Sequence, residues 1–214
     1  MKDIFAVYKP KGPSSNAVVQ QIKNITGIKK VGHAGTLDPL AQGVLVIGVG
    51  RDATKRLAEV VKKEKEYLVI VRLGVQSATD DEEGKKTEIP VAKHPATSDI
   101  ERVLRKFQGK ILQTPPVFSA VKIKGKEAYK HARMGQHVVL EPRPVEIKEI
   151  RLLEYTWPTL HLKVTTGPGV YIRSLARDIG KELGTGGYVQ ELERTRVGDF
   201  SKEDAIKISQ IRIP

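Results

Sequence analysis

Gly32-His33-Ala34-Gly35-Thr36-Leu37-Asp38-Pro39-Leu40-Ala41-Gln42-Gly43-Val44-Leu45 is the stretch on which the reading of this chain turns. Its glycines permit backbone conformations closed to other residues, and Pro39 keeps Asp38 out of the helical region. The aspartate is thereby displayed on a stiff turn, a setting suited to nucleophilic or general-base chemistry. The same local pattern also fits an aspartate that caps a turn or the following helix, and the stretch alone does not separate the two. Val44-Leu45-Val46-Ile47 reads as a buried strand. Residues 27–43 read as one long polar loop, and loops of that length in compact domains are usually functional or disordered.

Working outward, residues 3–8 read as a strand and Lys9-Pro10-Lys11-Gly12-Pro13 as a turn. A helix follows from Ser14 or Ser15 to about Ile25, with serine caps and Val18, Val19 and Ile22 as its apolar stripe. Beyond the motif come a helix from about Asp52 to Val61 and a strand over 66–73. The acidic run Asp80-Asp81-Glu82-Glu83 then reads as a solvated loop. Ser98-Asp99-Ile100-Glu101 fits a capping box opening a helix that ends at Gly109. Strands are predicted at about 111–113, 117–123, 137–140, 145–156 and 159–166, with a short basic helix over 126–134. Gly167-Pro168-Gly169 precedes a helix over 171–183, and Ser201 with Asp204 predicts a last capped helix. Successive long strands without regular strand–helix alternation predict an α+β fold on one extended, mostly antiparallel sheet. No internal repeat is visible, and no linker separates two domains.

The chain has 214 residues, with 37 Lys+Arg against 25 Asp+Glu, giving a net charge of +12. Cysteine is absent, which excludes disulfides, thiolate metal sites and cysteine nucleophiles. No run approaches the ~18 apolar residues of a membrane helix, and the chain enters its first strand without a signal-like segment, so a cytoplasmic location is expected. The positive surplus points to a polyanionic partner, although a lysine-rich surface also occurs in proteins that never touch nucleic acid. Gly48-Val49-Gly50-Arg51-Asp52-Ala53 matches a loose dinucleotide-binding pattern. The next strand, however, ends Val71-Arg72-Leu73-Gly74 with no acid to hold a ribose, so glycines easing a tight strand-to-helix turn are expected instead.

Taken together, these residues resemble the TruB family of tRNA pseudouridine-55 synthases, whose signature G-H-x-G-x-L-D-P-x-A-x-G-x-L stands here from Gly32 to Leu45. Further family-like segments follow in order: Lys9-Pro10, Gly12 and Ser14-Ser15-Asn16; Lys65-Glu66-Tyr67; Leu73-Gly74; Pro115-Pro116, Ser119-Ala120, Lys122, Gly125, Tyr129 and Ala132-Arg133; Gly169 to Leu175; and Arg194-Thr195-Arg196-Val197-Gly198. The resemblance covers nearly the whole chain.

It implies a pseudouridine synthase-like α+β fold, a mixed, mostly antiparallel sheet flanked by helices with a catalytic cleft across the sheet. A single catalytic domain over residues 1–214 is expected, with an RNA-gripping insertion at about 115–140. The chain stops at Pro214, about where most bacterial members continue into a PUA-type module, so no such module is expected. The implied reaction converts uridine 55 in the T loop of tRNA to pseudouridine, without cofactor, metal or membrane, by a monomer. By resemblance Asp38 is the nucleophile, forming its adduct at C6 of uracil or C1′ of ribose. Arg173 is its partner cation, which should hold the carboxylate ionised. Tyr67 stacks on the flipped base and takes part in proton transfer, His33 wedges into the T loop, and Tyr171 and Leu192 line the uracil pocket. Lys9 and Pro10 count among the substrate-binding residues, and Lys122, Lys126, Lys130, Arg133, Arg194 and Arg196 are expected along an RNA track. Two residues depart from the family pattern, Tyr8 before Lys-Pro and Glu193 beside Arg194, and each is expected to cost one polar contact. Two other readings stay open: a non-catalytic tRNA-binding or folding protein, and a related synthase acting on rRNA.

Overall fold

The computed structural model describes residues 3–123 and 125–211. Its elements run β1 (Ile4–Lys9), α1 (Ser15–Thr26), β2 (Val31–Ala34), β3 (Gln42–Val49), α2 (Arg51–Val61), β4 (Lys65–Leu73), β5 (Val75–Ser77) and β6 (Lys86–Glu88). There follow α3 (Thr97–Lys106), β7 (Gly109–Gln113), β8 (Lys122–Ile123), β9 (Lys126–Glu127), α4 (Ala128–Arg133), β10 (Arg143–Thr156) and β11 (Thr159–Thr166). The chain ends through α5 (Ile172–Glu182), β12 (Gly187–Val197), β13 (Phe200–Ser201) and a 3-10 turn (Ile208–Gln210). Two compact units interleave along it. The first takes in the chain up to Leu68, residues 165–168 and the chain from Glu191 onward; the second comprises Val69–Val164 and Gly169–Gln190. Among the described residues no helix is long and apolar enough to cross a membrane.

In the first unit β3 is central. Its run Gly43 to Gly48 is buried throughout, as an unbroken apolar strand covered on both faces should be. β1 pairs antiparallel with it, Val7 opposite Leu45 and Lys9 opposite Gly43. The other edge is shared: β2 pairs antiparallel with the end of β3, His33 opposite Ile47, and β12 pairs in parallel with its start, Arg194 opposite Gly43. α1 buries Ser15, Val18, Val19 and Ile22. Ser14 caps its start by accepting from the Ala17 N–H at 3.1 Å, and Gly27, at φ 69°, closes its end. Gly48 lets α2 approach: a Cβ there would lie 3.1 Å from the Ala53 carbonyl and from the Leu57 side chain. Of the two glycines in the loose dinucleotide pattern, Gly48 thus serves helix packing, and Gly50, at φ 93°, turns the chain into α2.

In the second unit the strand order is β4-β11-β10-β7, with α3 and α5 burying Ile100, Val103, Leu104, Leu175 and Ile179. β11 alternates buried and half-buried residues along its length, the signature of a strand with one face in the core. The sheet is mixed and mostly antiparallel, as expected.

Six local expectations are corrected. The loop over 27–43 contains β2, a four-residue strand with little propensity of its own that forms because the edge of β3 is open to it. α3 starts at Thr97 and not after Ser98, because Asp99 accepts from the Ala96 N–H at 3.1 Å. Residues 137–140 form no strand, and of 117–123 only Lys122–Ile123 does. Ser201 heads a turn and no helix: its hydroxyl bonds the Asp204 carboxylate at 2.7 Å and accepts the Asp204 N–H at 3.3 Å. The acidic run is only in part a wet face: Glu82 and Glu83 are exposed, but Asp81 is buried against Arg173 at 3.5 Å and Asp80 pairs with Arg177 at 2.8 Å.

Candidate active site

The loop between β2 and β3 carries Asp38, and it is anchored through its backbone on both sides of that residue. Before it, the Leu37 N–H donates to Ser15 Oγ and the Ser15 hydroxyl donates to the Leu37 carbonyl, both at 2.8 Å, tying the loop to the first turn of α1. After it, the Pro39 carbonyl accepts from the Gly12 N–H at 2.8 Å and from Lys9 Nζ at 3.3 Å. The Ala41 N–H closes the turn onto the Asp38 carbonyl at 3.1 Å. Asp38 itself is half-buried, on a loop whose main chain is fixed.

Buried cations surround this loop. Arg194 is 1% exposed; its Nε donates to the Val44 carbonyl at 2.8 Å and its two terminal nitrogens to the carbonyls of Gly35 and Thr36, at 3.0 and 3.5 Å. It also hydrogen bonds the Tyr67 hydroxyl and feels the charge of Asp38. Burial pushes the Arg194 guanidinium below its ordinary value, opposed by Tyr67 and Asp38. Tyr67 is 6% exposed, and burial raises its phenol despite Arg194. Burial, with Arg194 second, lowers His33 and favours the neutral imidazole, whose Nδ1 is buried without a hydrogen-bond partner.

Lys9 is fully buried, and its ammonium donates to the carbonyls of Pro10, Pro13 and Pro39. Lys65, also buried, donates to the carbonyls of Val61 and Lys63 at 2.8 and 2.7 Å, so its charge meets the end of α2 where carbonyls are left over. Burial brings each lysine down to about 8, with Asp38 resisting at Lys9 and Arg194 adding to the fall at both. An unfolded lysine titrates near ~10.4, so between pH 8 and 10 the unfolded chain binds more protons and stability rises with pH. Tyr8 and Tyr188 have phenols pushed up to about 12, chiefly by burial; above pH 10 the folded chain holds the extra protons and stability falls again. Urea unfolding at pH 7, 8.5, 10 and 11.5 should therefore show a midpoint that peaks near pH 10. A midpoint falling from 8 to 10 would contradict these lysine environments.

In the second unit, Arg173 lies in the first turn of α5, 6% exposed. It pairs with Asp81 and donates to the carbonyls of Thr79 and Phe118 at 3.2 and 2.9 Å. Tyr171 precedes that helix, and the amide of Gln113 bonds both its N–H and its carbonyl, at 2.8 and 3.1 Å. Lys122, Lys126, Lys130 and Arg133 are all exposed on the β8–β9 hairpin and α4, and the cations of Lys130 and Arg133 lie 5.9 and 5.5 Å from the centre of the Tyr129 ring. Lys124, which belongs to the same basic stretch, lies outside the described residues.

Asp38, Tyr67, His33, Lys9 and Arg194 thus gather in the first unit, with Leu192, 8% exposed, on the same face of β12 as Arg194 two residues on. Two expected roles change. Arg194 has no exposed surface to offer a phosphate, and the three donors of Lys9 are spent on carbonyls, so both fix the loop and do not grip substrate. Pro10 is exposed, and Arg196 is half-buried and paired with Glu64 at 2.7 Å. The two departures from the family pattern meet each other, Tyr8 donating to Glu193 at 2.8 Å and Lys202 adding a second bond at 2.6 Å, so neither contact is lost. Sequence reasoning missed Lys65, Gln113 and the buried pair of acids. Lys65 stood within a recognised motif, but nothing local marked the other three.

The description "TruB family pseudouridylate synthase (N terminal domain)" matches residues 23–172, and "tRNA pseudouridylate synthase B C-terminal domain" matches 173–213. The tRNA pseudouridine synthase B of Francisella tularensis subsp. tularensis (strain WY96-3418) is 41% identical over 216 residues, 99% of this chain and 70% of that protein. The protein of the same name from Clostridium tetani is 42% identical over 211 residues, 99% and 73% of the two chains. Among solved structures, the crystal structure of a Cbf5-Nop10-Gar1 complex superimposes with a TM-score of 0.75 at 31% identity, covering 96% of this chain and 52% of that one. This chain therefore spans about half the length of that structural relative. The fold is that of the pseudouridine synthases. Within that class the chain belongs to the TruB family.

Proposed function

We propose that this protein isomerises a uridine of tRNA to pseudouridine, at position 55 in the T loop, with Asp38 as nucleophile. The reading is supported by family membership and by relatives named tRNA pseudouridine synthase B. The observation that carries it to residues is the Asp38 loop, clamped through its main chain and faced by buried Lys9 and Arg194. In the reaction the N1–C1′ bond breaks, the base turns, and C5 bonds to C1′. C5 gives up a proton and N1 gains one, so the product is an isomer. The carboxylate of Asp38 forms the transient adduct, at uracil C6 or ribose C1′, and Arg173 is the proposed partner that keeps it ionised.

Tyr67 is the proposed stacking ring for the extruded base, met through the small part of it that remains open. The neutral His33, with its unpartnered Nδ1, is the proposed wedge, and Tyr171 and Leu192 the proposed walls of the uracil pocket. The exposed cations around Tyr129 suit the phosphates of the T arm. Pseudouridine mapping in tRNA and rRNA treated with the purified protein tests the proposal, the expected product being a single pseudouridine at tRNA position 55. Product confined to rRNA would move the substrate, and tight tRNA binding without product would favour a folding protein.

A further inference from the structure

We propose that Arg194 is a positioning residue for this reaction, one planar group that fixes both the Asp38 loop and the Tyr67 hydroxyl. The inference rests on the reaction proposed above. Its guanidinium reaches the chain on both sides of the aspartate, at the carbonyls of Gly35 and Thr36 before it and Val44 after it, and also bonds Tyr67. Four acceptors spread over three segments need the five fixed donors of an arginine; an ammonium on the same stem presents one point from which they cannot all be reached. An uncompensated buried charge is costly, and here the compensation comes from the loop carbonyls, the tyrosine oxygen and the nearby carboxylate. Arginine can only donate, so Tyr67 is the acceptor in this contact and its oxygen is held in place. Lys9 acts as the second clamp, on the carbonyl of Pro39, so the loop is pinned from two directions by cations that never meet solvent.

The test is Arg194→Lys in the full chain, with Arg194→Gln as a second variant if the first does not fold. Amide hydrogen exchange over residues 35–41 should quicken about tenfold while the rest of β3 is unchanged. Affinity for tRNA should stay within about threefold, while single-turnover pseudouridine formation falls about 100-fold, the split expected of lost positioning. In a Tyr67→Phe background the same change should cost about tenfold or less, because one of the acceptors is already gone. Unchanged exchange overturns the inference, as does faster exchange with an unchanged rate. Equal losses in both backgrounds accompanied by falling affinity overturn it too, marking a structural role alone. Should the unaltered protein form no pseudouridine at all, the proposed reaction fails by itself, and the exchange measurement still decides whether Arg194 holds the loop.

Discussion

Asp38→Asn should abolish pseudouridine formation, a loss of at least about 10⁴-fold in single-turnover rate, while tRNA affinity stays within about threefold. The split follows from how the loop is built. The loop is shaped by bonds to its main chain: Ser15 on Leu37, Gly12 and Lys9 on Pro39, Ala41 on the Asp38 carbonyl. An amide of nearly the same size leaves all of these in place, but it cannot attack carbon as a carboxylate does. Lys9 and Arg194 lose the opposing charge between them, so the thermal midpoint should fall by a few degrees at pH 7. Release of tritium from C5-labelled uridine in tRNA reads the first effect and filter binding the second. Retained turnover would remove Asp38 from the mechanism, and lost binding with lost turnover would make it a structural residue.

Gly43→Ala should prevent folding or destabilise the protein by more than about 4 kcal/mol. Gly43 stands at φ 108°, and a Cβ there would lie 2.2 Å from the Arg194 carbonyl oxygen and 2.8 Å from its nitrogen. Neither obstacle is a flexible side-chain end; both belong to the strand that pairs with β3 at this residue. Relief requires β12 to part from β3, which would carry the Arg194 side chain away from the loop it holds. Gly12→Ala is the matched control. Its φ is 114° but nothing lies within 4 Å of the added atom, so only the backbone penalty of about 1–2 kcal/mol should appear. Urea unfolding of the two variants side by side checks the difference, and equal effects would refute the clash.

The parts of the fold that announced themselves were those whose stabilisation is local. α1 carries its serine cap and its apolar stripe close together in sequence, and both act in the structure as the pattern predicted. β3 is apolar enough to read as buried wherever it lies. β2 is the opposite case: Val31-Gly32-His33-Ala34 has little strand character, and its conformation is supplied by hydrogen bonds to a neighbour. The acidic run misled because solvation is the usual fate of such residues, while here arginines from α5, nearly a hundred residues away, bury two of them. The site divides in the same way. The Asp38 loop was legible from its motif, but a buried arginine and a surface arginine look alike in sequence. Arg194 and Arg196 even share a face of β12, and depth alone separates them.

Arg194 bonds the Val44 carbonyl across 150 residues of sequence. During ribosomal synthesis the aspartate emerges first, and the clamp that shapes its surroundings follows only once β12 has been made. A product cut short before β12 would present Asp38 on a loop held by Ser15, Gly12 and Lys9 alone, so the full bracing of that loop cannot precede the synthesis of β12.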